Sequence, residues 1–504
     1  MSLTLTALSM ASKPLGYART LWVAWAFGTS PGMDAFHLSF GIVSLFSGCI
    51  GMTLESTILP EIVRLKEESG GSETSRSVMA LVSSVVLLLT ALLISAMIIA
   101  PGVLIKFFAG GFDQERIVMG ARTMLWLAPL AGVMMYKPVL NIWATFTERY
   151  TLLSLISTIF NFIAIPALLI SAPFIGVYSV AFSSSAGHFV LFVMFLLFMR
   201  GVPITWRPSA ILKESAVRIC KNSACLMAII AAGSLYVIVD KYFASSLPSG
   251  SVSAISYADT IIGFIASLTG VSMNFFLSKI TKIAVRDPLE AKNVTKSAIS
   301  LSIAYLVPAS AFVIASSEAI VSIVFGWGSF DAHSISMTST CLASYCLGFS
   351  FSIASTMMYR HALAVRKLGI TVVLSYISVA LNVFLDWALI GRLGLLGLAM
   401  ATSVSGILVF VMYYYTIMRS SLIRYLMNIK FFEQAILAGI LACCPQFVGR
   451  FGSAAHLAAS AVLFVLYLYA AERLSLMPEV PVHWRPSSLA KFLFSTAKLF
   501  ARIQ

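Results

Sequence analysis

Residues 77–100 read SVMALVSSVVLLLTALLISAMIIA, a run without a single charged side chain. A helix needs about 20 consecutive apolar residues to cross the hydrocarbon core of a bilayer. The stretch is long enough, so it predicts a membrane-spanning helix. The whole chain has the same character, because 59% of its 504 residues are hydrophobic and only 11% are charged.

Similar apolar segments recur from end to end and predict an all-α polytopic membrane protein with about 14 transmembrane helices. The predicted spans lie at 14–28, 34–59, 77–100, 118–145, 151–171, 177–199, 222–242, 253–278, 297–325, 336–359, 369–390, 396–418, 432–449 and 454–471. Because the number of spans is even, both termini are expected on the same side of the membrane.

The basic residues of the loops predict which side that is. Of 34 Lys and Arg residues, 25 fall in one set of loops and the C-terminal tail, five in the opposite loops, and four in or beside spans. The positive-inside rule then predicts a multi-pass membrane protein with both termini in the cytoplasm. This bias also accounts for the net charge of +14. The expected partners of the basic loops are therefore membrane lipids and not nucleic acid.

Several function classes lack their sequence signatures. The chain has no Walker motif, nucleophile elbow or paired-carboxylate pattern, so we expect neither an enzyme nor an ATP-hydrolysing domain. Its seven cysteines and six histidines show no metal-ligand spacing, so no metal and no cofactor are expected. A transport function would then depend on a coupling ion, the membrane potential, or consumption of the substrate on the far side.

Basic stretches divide the chain into segments. We predict an N-terminal lobe of spans one to six at 1–200, a cytoplasmic basic linker at 201–221, and a C-terminal lobe of spans seven to twelve at 222–418. Two additional spans occupy 419–471, and a cytoplasmic basic tail occupies 472–504. Two equal halves are typical of transporters that contain an internal repeat.

Basic side chains within spans are candidates for a binding site, because ionisable groups in a membrane are costly unless they face a cavity or a partner. Lys13 and Arg19 would form a cationic wall for an anionic head group, since the planar Arg fork matches phosphate. The alternative for Lys13 is a snorkelling side chain at a helix end. Lys137 precedes Pro138, and a helix broken at proline often marks a cavity.

Acidic side chains in or near spans have two interpretations each. Asp34 could bind substrate, or it could be an N-cap or first-turn acid of its own helix. Glu55 is near the cytoplasmic end of span two, where solvent could reach it. Asp240 and the adjacent Lys241 could be external surface charges or part of an ion-coupling site. Asp259, about six residues inside span eight, is the second candidate for ion coupling and also for substrate binding.

Several short motifs occur in a characteristic order along the chain. They are Leu15-Gly16-Tyr17-Ala18-Arg19, Phe27-Gly28, Asp34-Ala35-Phe36, Ser251-Val252-Ser253, Tyr257-Ala258-Asp259, Phe325-Gly326-Trp327-Gly328-Ser329-Phe330 and the segment from Tyr359 to Lys367. This series resembles the MurJ (MviN) family. Its members are lipid II flippases of the multidrug/oligosaccharidyl-lipid/polysaccharide exporter superfamily.

The resemblance implies an architecture and a function. It implies two six-helix lobes that face each other as a V, with two extra C-terminal helices forming a groove for a lipid tail. A central cationic cavity would hold the diphosphate of an undecaprenyl-linked saccharide. Alternating access would carry this head group from the cytoplasmic to the external side.

The resemblance also implies site residues. Arg19 and Asp34 match family residues, and Lys13 stands where the family usually has arginine. The Arg-Arg pair of span two is absent from Leu45–Gly51, and the family's Ala-Asp-Arg reads Ala-Asp-Thr at 258–260. Losing three cationic positions should weaken diphosphate binding, because each charge-assisted contact contributes roughly 1.5–3 kcal/mol. Basic groups elsewhere, with Lys137 and Lys241 as candidates, could replace them.

We therefore predict a flippase for a polyprenyl-diphosphate-linked saccharide, with the peptidoglycan precursor lipid II as first candidate. The predicted substrate-binding residues are Arg19, Lys13, Asp34, Lys137, Asp259 and Glu55. The predicted ion-coupling residues are Asp240 and Asp259. The alternatives are a flippase for another lipid-linked glycan, a cation-coupled multidrug exporter with an acidic cavity, and a non-transporting scaffold among envelope-synthesis proteins.

Overall fold

The computed structural model of the chain describes residues 3–68, 72–198, 203, 210–365, 367–419, 422, 425–426, 430–443 and 452–473. In this part of the chain the backbone forms helices joined by short turns, and no strand occurs there. Residues 201–202 and 204–209 of the predicted linker, and the predicted basic tail from residue 474 onwards, lie outside the described residues.

The helices follow one another closely. They are α1 (Leu3–Phe27), α2 (Pro31–Glu68), α3 (Ser72–Ile99), α4 (Pro101–Phe108), α5 (Gln114–Phe146), α6 (Tyr150–Ile175), α7 (Tyr178–Phe198), α8 (Ala210–Ala244), α9 (Ser251–Arg286), α10 (Pro288–Ala315), α11 (Ser317–Phe325), α12 (Ala332–Ala364), α13 (Leu368–Tyr413), a π-helical turn (Tyr414–Met418), α14 (Phe431–Cys443) and α15 (Ser453–Arg473). Every predicted span overlaps one of them, and span thirteen continues beyond the described residues. By length and composition, seven of the described helices can cross a membrane, and five further apolar helices are shorter. The prediction of an all-α polytopic membrane protein is confirmed.

Helices α5 and α10 each begin after an aspartate that caps the helix N-terminus. Asp113 accepts a hydrogen bond from the Arg116 backbone N–H at the start of α5. The guanidinium of Arg116, which also bonds this carboxylate, holds the pKa of Asp113 below its ordinary value. Asp287 accepts from the first backbone N–H groups of α10, and Pro288 follows it at the first helical position.

Three local features differ from the predicted spans. Span nine is broken at Ser316 into α10 and α11, and the Ser316 hydroxyl lies 2.6 Å from the Ser460 hydroxyl of α15. Residues 101–108, predicted as loop, form α4 with Pro101 at its start. Spans eleven and twelve are joined in α13, where Gly394 has a positive φ of 56° that interrupts the helix near the predicted boundary.

The chain divides into two compact units. Unit 1 consists of Met1–Ser253 and Trp327–Ser334, and unit 2 consists of Ala254–Gly326 and Ile335–Gln504. Helix α8 thus belongs to unit 1. The lobe and tail boundaries drawn from the sequence remain predictions.

The core of unit 1 lies among α2, α3, α5 and α7. Its buried residues include Ile58, Ile62 and Trp143, and the buried hydroxyls of Tyr136 and Ser83 are 2.6 Å apart. Pairing these two hydroxyls satisfies polar groups that would be costly to bury alone.

The core of unit 2 joins α10, α12, α13 and the π-helical turn, with Met358, Phe410 and Tyr414 at its centre. Gly348 of α12 lies directly against the backbone of Ser403 in α13, so these helices approach to a distance that only glycine permits. A smaller cluster of Phe312, Ala438 and Tyr467 packs α14 and α15 against α10.

We predict that Gly348→Ala lowers the thermal stability of the purified protein in detergent. The added methyl group must push α12 away from α13, and overpacking of this kind costs about 1–3 kcal/mol. The matched control is Gly233→Ala in α8, where an added Cβ meets nothing within 4 Å. Equal melting temperatures for both variants would contradict the predicted close packing.

Candidate functional site

Arg19 lies in the middle of α1 and is half-buried in unit 1. Its Nη1 donates a hydrogen bond to the Ser184 hydroxyl of α7 at 3.3 Å. Its guanidinium carbon lies 5.1 Å from the ring centroid of Phe160 in α6, in cation–π geometry. Two neighbouring helices therefore orient this cation.

The two contacts of Arg19 are themselves linked through His188. The imidazole ring lies 4.3 Å from the Phe160 ring, centroid to centroid. Its Nδ1 is 2.9 Å from the Ser184 carbonyl oxygen, while the Ser184 hydroxyl donates to Val180 O at 2.7 Å. The Ser184 hydroxyl uses its hydrogen on Val180 and therefore accepts from Arg19.

Lys137 of α5 lies in the same region of unit 1, because both it and Arg19 interact electrostatically with the imidazole of His188 in α7. It also interacts electrostatically with the carboxylate of Glu55 in α2. Among the described residues, Lys137 makes no ion pair within 4.0 Å. Glu55 instead accepts a hydrogen bond of 2.9 Å from Asn141, one turn beyond Lys137 on α5. The Lys137 ammonium therefore keeps its donors available for another anion.

We call Arg19, Lys137, Glu55 and His188 the inner polar group; they come from α1, α5, α2 and α7 of unit 1. It has two permanent cations and one carboxylate, with neutral hydrogen-bonding groups around them. Such a set can hold an anionic group by charge-assisted hydrogen bonds. The structure thus brings three of the predicted substrate-binding residues into one region.

Asp34 is fully buried at the start of α2 and is bound by the beginning of α9. The backbone N–H groups of Gly250 and Ser253 donate to it at 2.6 and 2.8 Å, and the Ser253 hydroxyl donates at 2.6 Å. Arg116 Nη1 lies 3.9 Å away. Asp34 therefore caps α9, which is distant in sequence. It also lies in the first turn of its own helix, α2.

Asp240 and Lys241 are both buried in α8, with 6% and 8% of their surface exposed. Lys241 Nζ donates to the His37 carbonyl oxygen of α2 at 2.9 Å. The interpretation of this pair as external surface charges is therefore wrong. The role of Asp240 in ion coupling remains a prediction.

The other two predicted site residues are not part of the inner polar group as described. Asp259 is exposed on α9, belongs to unit 2 and acts electrostatically on Cys341 of α12. Lys13 lies in α1, but its side chain is outside the described residues. Their predicted contacts with substrate remain predictions. Among the described side chains, no cluster of three or more His, Cys, Asp or Glu could hold a metal ion.

Sequence reasoning missed the neutral members of the site. Phe160, Ser184 and Asn141 position the charged groups, yet nothing in their types or spacing distinguishes them from ordinary residues of an apolar helix. Ser184 is 165 positions from Arg19 in the chain, so only the folded structure shows the contact.

Comparison with known proteins agrees with this architecture. The family model described as "Lipid II flippase MurJ" matches residues 23–479. A probable lipid II flippase MurJ of Thermotoga maritima is 23% identical over 464 residues, covering 90% of this chain and 93% of the relative. The lipid II flippase MurJ of Burkholderia cenocepacia is 24% identical over 361 residues, covering 69% of each chain.

Solved structures show the same fold. The structure of lipid II flippase MurJ in an inward closed conformation superposes with a TM-score of 0.77 at 18% identity, covering 94% of this chain and 100% of that one. An inward-facing multidrug resistance MATE transporter has a TM-score of 0.68 at 14% identity, covering 80% and 94%. Because the family model matches nearly the whole chain, the resemblance seen in its motifs is confirmed, and the protein belongs to the lipid II flippase MurJ family.

Proposed function

We propose that this protein translocates lipid II, a polyprenyl-diphosphate-linked saccharide, across the bacterial inner membrane by alternating access. It acts as a carrier without a catalytic step. Family membership supports a transport function. The placement of Arg19 is the observation that supports an anionic cargo. A guanidinium within an apolar helix is costly unless it faces a cavity or a partner, and the described contacts of Arg19 are a neutral hydroxyl and an aromatic ring.

The inner polar group can hold a diphosphate with fewer arginines than the family pattern has. Arg19 offers a planar fork of donors to one phosphate, and Lys137 offers a mobile ammonium to the other. Glu55 already has a hydrogen bond from Asn141. The carboxylate can therefore stay in place when Lys137 binds the cargo. Lys13, on the same helix as Arg19, is the proposed third cation.

The remaining predicted residues have separate proposed roles. Asp34 holds the start of α2 to the start of α9 through its hydrogen bonds, in addition to its proposed effect on substrate binding. Asp240 and Asp259 are the proposed ion-coupling carboxylates. The bias of 25 basic residues to five supports the proposed orientation, with both termini in the cytoplasm.

Replacing Arg19 tests the function directly. In a bacterium depleted of its own lipid II flippase, wild type should restore growth and Arg19→Ala should not. The matched control is Arg122→Ala, which removes the same charge from an exposed position of α5. Rescue by Arg19→Ala at wild-type expression would contradict the proposed role of Arg19. If the wild type does not restore growth but does restore drug efflux in an efflux-deficient strain, the result would favour a multidrug exporter instead.

Replacing Lys137 tests how the cargo is held. Purified Lys137→Met in lipid nanodiscs should bind lipid II about 10–100-fold more weakly, because one charge-assisted contact is lost. Lys137→Arg should keep most of the affinity, and Lys106→Met on the exposed face of α4 should not change it. Equal affinity of Lys137→Met and wild type would exclude this lysine from the site.

A further inference from the structure

His188 of α7 belongs to the inner polar group, but in its neutral form it offers the diphosphate no hydrogen-bond donor. Its Nδ1 lies 2.9 Å from the Ser184 carbonyl oxygen. A carbonyl oxygen can only accept, so Nδ1 carries the hydrogen of this bond. In the neutral imidazole the other ring nitrogen, Nε2, is then a hydrogen-bond acceptor.

The Nε2 atom of His188 is accessible. Among the described residues, no hydrogen bond is made to it, and it is not one of the buried polar atoms that lack a partner. The residue as a whole is partly exposed. Nε2 therefore has a lone pair available for a donor from outside the protein.

Packing fixes the imidazole beside Arg19. The ring centroid of His188 is 4.3 Å from that of Phe160, and the Arg19 guanidinium carbon is 5.1 Å from the same Phe160 centroid. Gly187 allows α7 to approach this ring, because a Cβ added there would lie 2.9 Å from two Phe160 ring carbons. One aromatic ring thus positions both the cation proposed to bind phosphate and the acceptor of His188.

Both charged groups that act electrostatically on His188 are cations. They are Lys137 of α5 and Arg19 of α1. Helix α6 faces the imidazole with the neutral ring of Phe160, and α7 contains no Asp, Glu, Lys or Arg. A third positive charge beside two cations costs Coulomb energy, so the neutral imidazole with its acceptor is the favoured form.

A polyprenyl-diphosphate-linked saccharide presents two kinds of polar group. The oxygens of the ionised diphosphate only accept hydrogen bonds, and the cations Arg19 and Lys137 match them. The sugar attached to the diphosphate carries hydroxyl groups, which can donate. An acceptor beside two phosphate-binding cations therefore matches a sugar hydroxyl and does not match the phosphate.

We propose that Nε2 of His188 accepts a hydrogen bond from a hydroxyl of the first sugar of the cargo, so that the site distinguishes a lipid-linked saccharide from the bare lipid diphosphate. This inference rests on the proposed function. His188 is then a specificity-determining residue, and Ser184 is the residue that positions it. A bare lipid diphosphate leaves Nε2 without this partner and loses the contribution of the bond.

The first experiment compares the binding of two lipids to purified protein in lipid nanodiscs. The probes are lipid II and undecaprenyl diphosphate, which lacks the sugar. His188→Phe keeps a ring against Phe160 and removes both nitrogens, so it should bind lipid II about tenfold more weakly and undecaprenyl diphosphate as tightly as wild type. His188→Gln, whose side-chain oxygen is an acceptor, should keep most of the affinity for lipid II. His333→Phe, the same change at an exposed position of α12, should alter neither affinity.

Equal losses for both lipids in His188→Phe would overturn the proposal, because a merely structural role lowers both affinities. Unchanged binding of lipid II by that variant would overturn it as well. If the wild type binds undecaprenyl diphosphate as tightly as lipid II, the proposal fails while an anionic cargo still stands. If the wild type binds neither lipid, the proposed function itself fails.

The second experiment measures the tautomer of His188 without any cargo. Solid-state nitrogen NMR of protein labelled at its six histidines distinguishes a hydrogen on Nδ1 from one on Nε2. Comparison with His188→Gln identifies the His188 signals. We expect the hydrogen on Nδ1, and an Nε2 resonance that shifts with lipid II and not with undecaprenyl diphosphate. A hydrogen on Nε2 alone would overturn the proposal, whether or not lipid II is transported.

Discussion

The absence of water in the bilayer core is the constraint on which this structure depends. Backbone polar groups there must bond to one another, and helices satisfy that requirement within each segment. Polar side chains must then find partners on neighbouring helices or face a cavity. The buried carboxylate of Asp34 and the ammonium of Lys241 both follow this rule, since each binds backbone groups of a distant helix. Long-range polar bonds thus hold α2 to α8 and to the start of α9.

Much of the fold could be predicted from the sequence because apolar length and loop charge are local properties. The boundary between spans eleven and twelve was predicted close to Gly394, where the helix is interrupted. The break at Ser316 could not be predicted, because serine does not end a helix by itself. Helix α4 was missed since eight residues are too few for a clear pattern.

The site was predictable only through its charges. Arg19, Lys137 and Glu55 were identified because ionisable groups are rare in spans, and the structure brings them into one region of unit 1. The residues that orient them are neutral and come from other helices, so sequence spacing contains no information about them. The sequence could not decide between the two interpretations of Asp240 and Lys241 for the same reason, because burial depends on how α8 packs against α2.

Glu55 changes the net charge of the site in the step in which the carrier returns without cargo. Under the proposed function the protein moves its cargo one way and must return empty. Arg19 and Lys137 alone would make that empty site doubly positive, whereas Glu55 leaves a single net charge among these three residues. Moving one charge across 100 mV involves about 2.3 kcal/mol, so the carboxylate makes the return step less sensitive to the membrane potential. Under the proposed function, an acidic residue inside a cationic site thus lowers the charge that the empty carrier moves on its return.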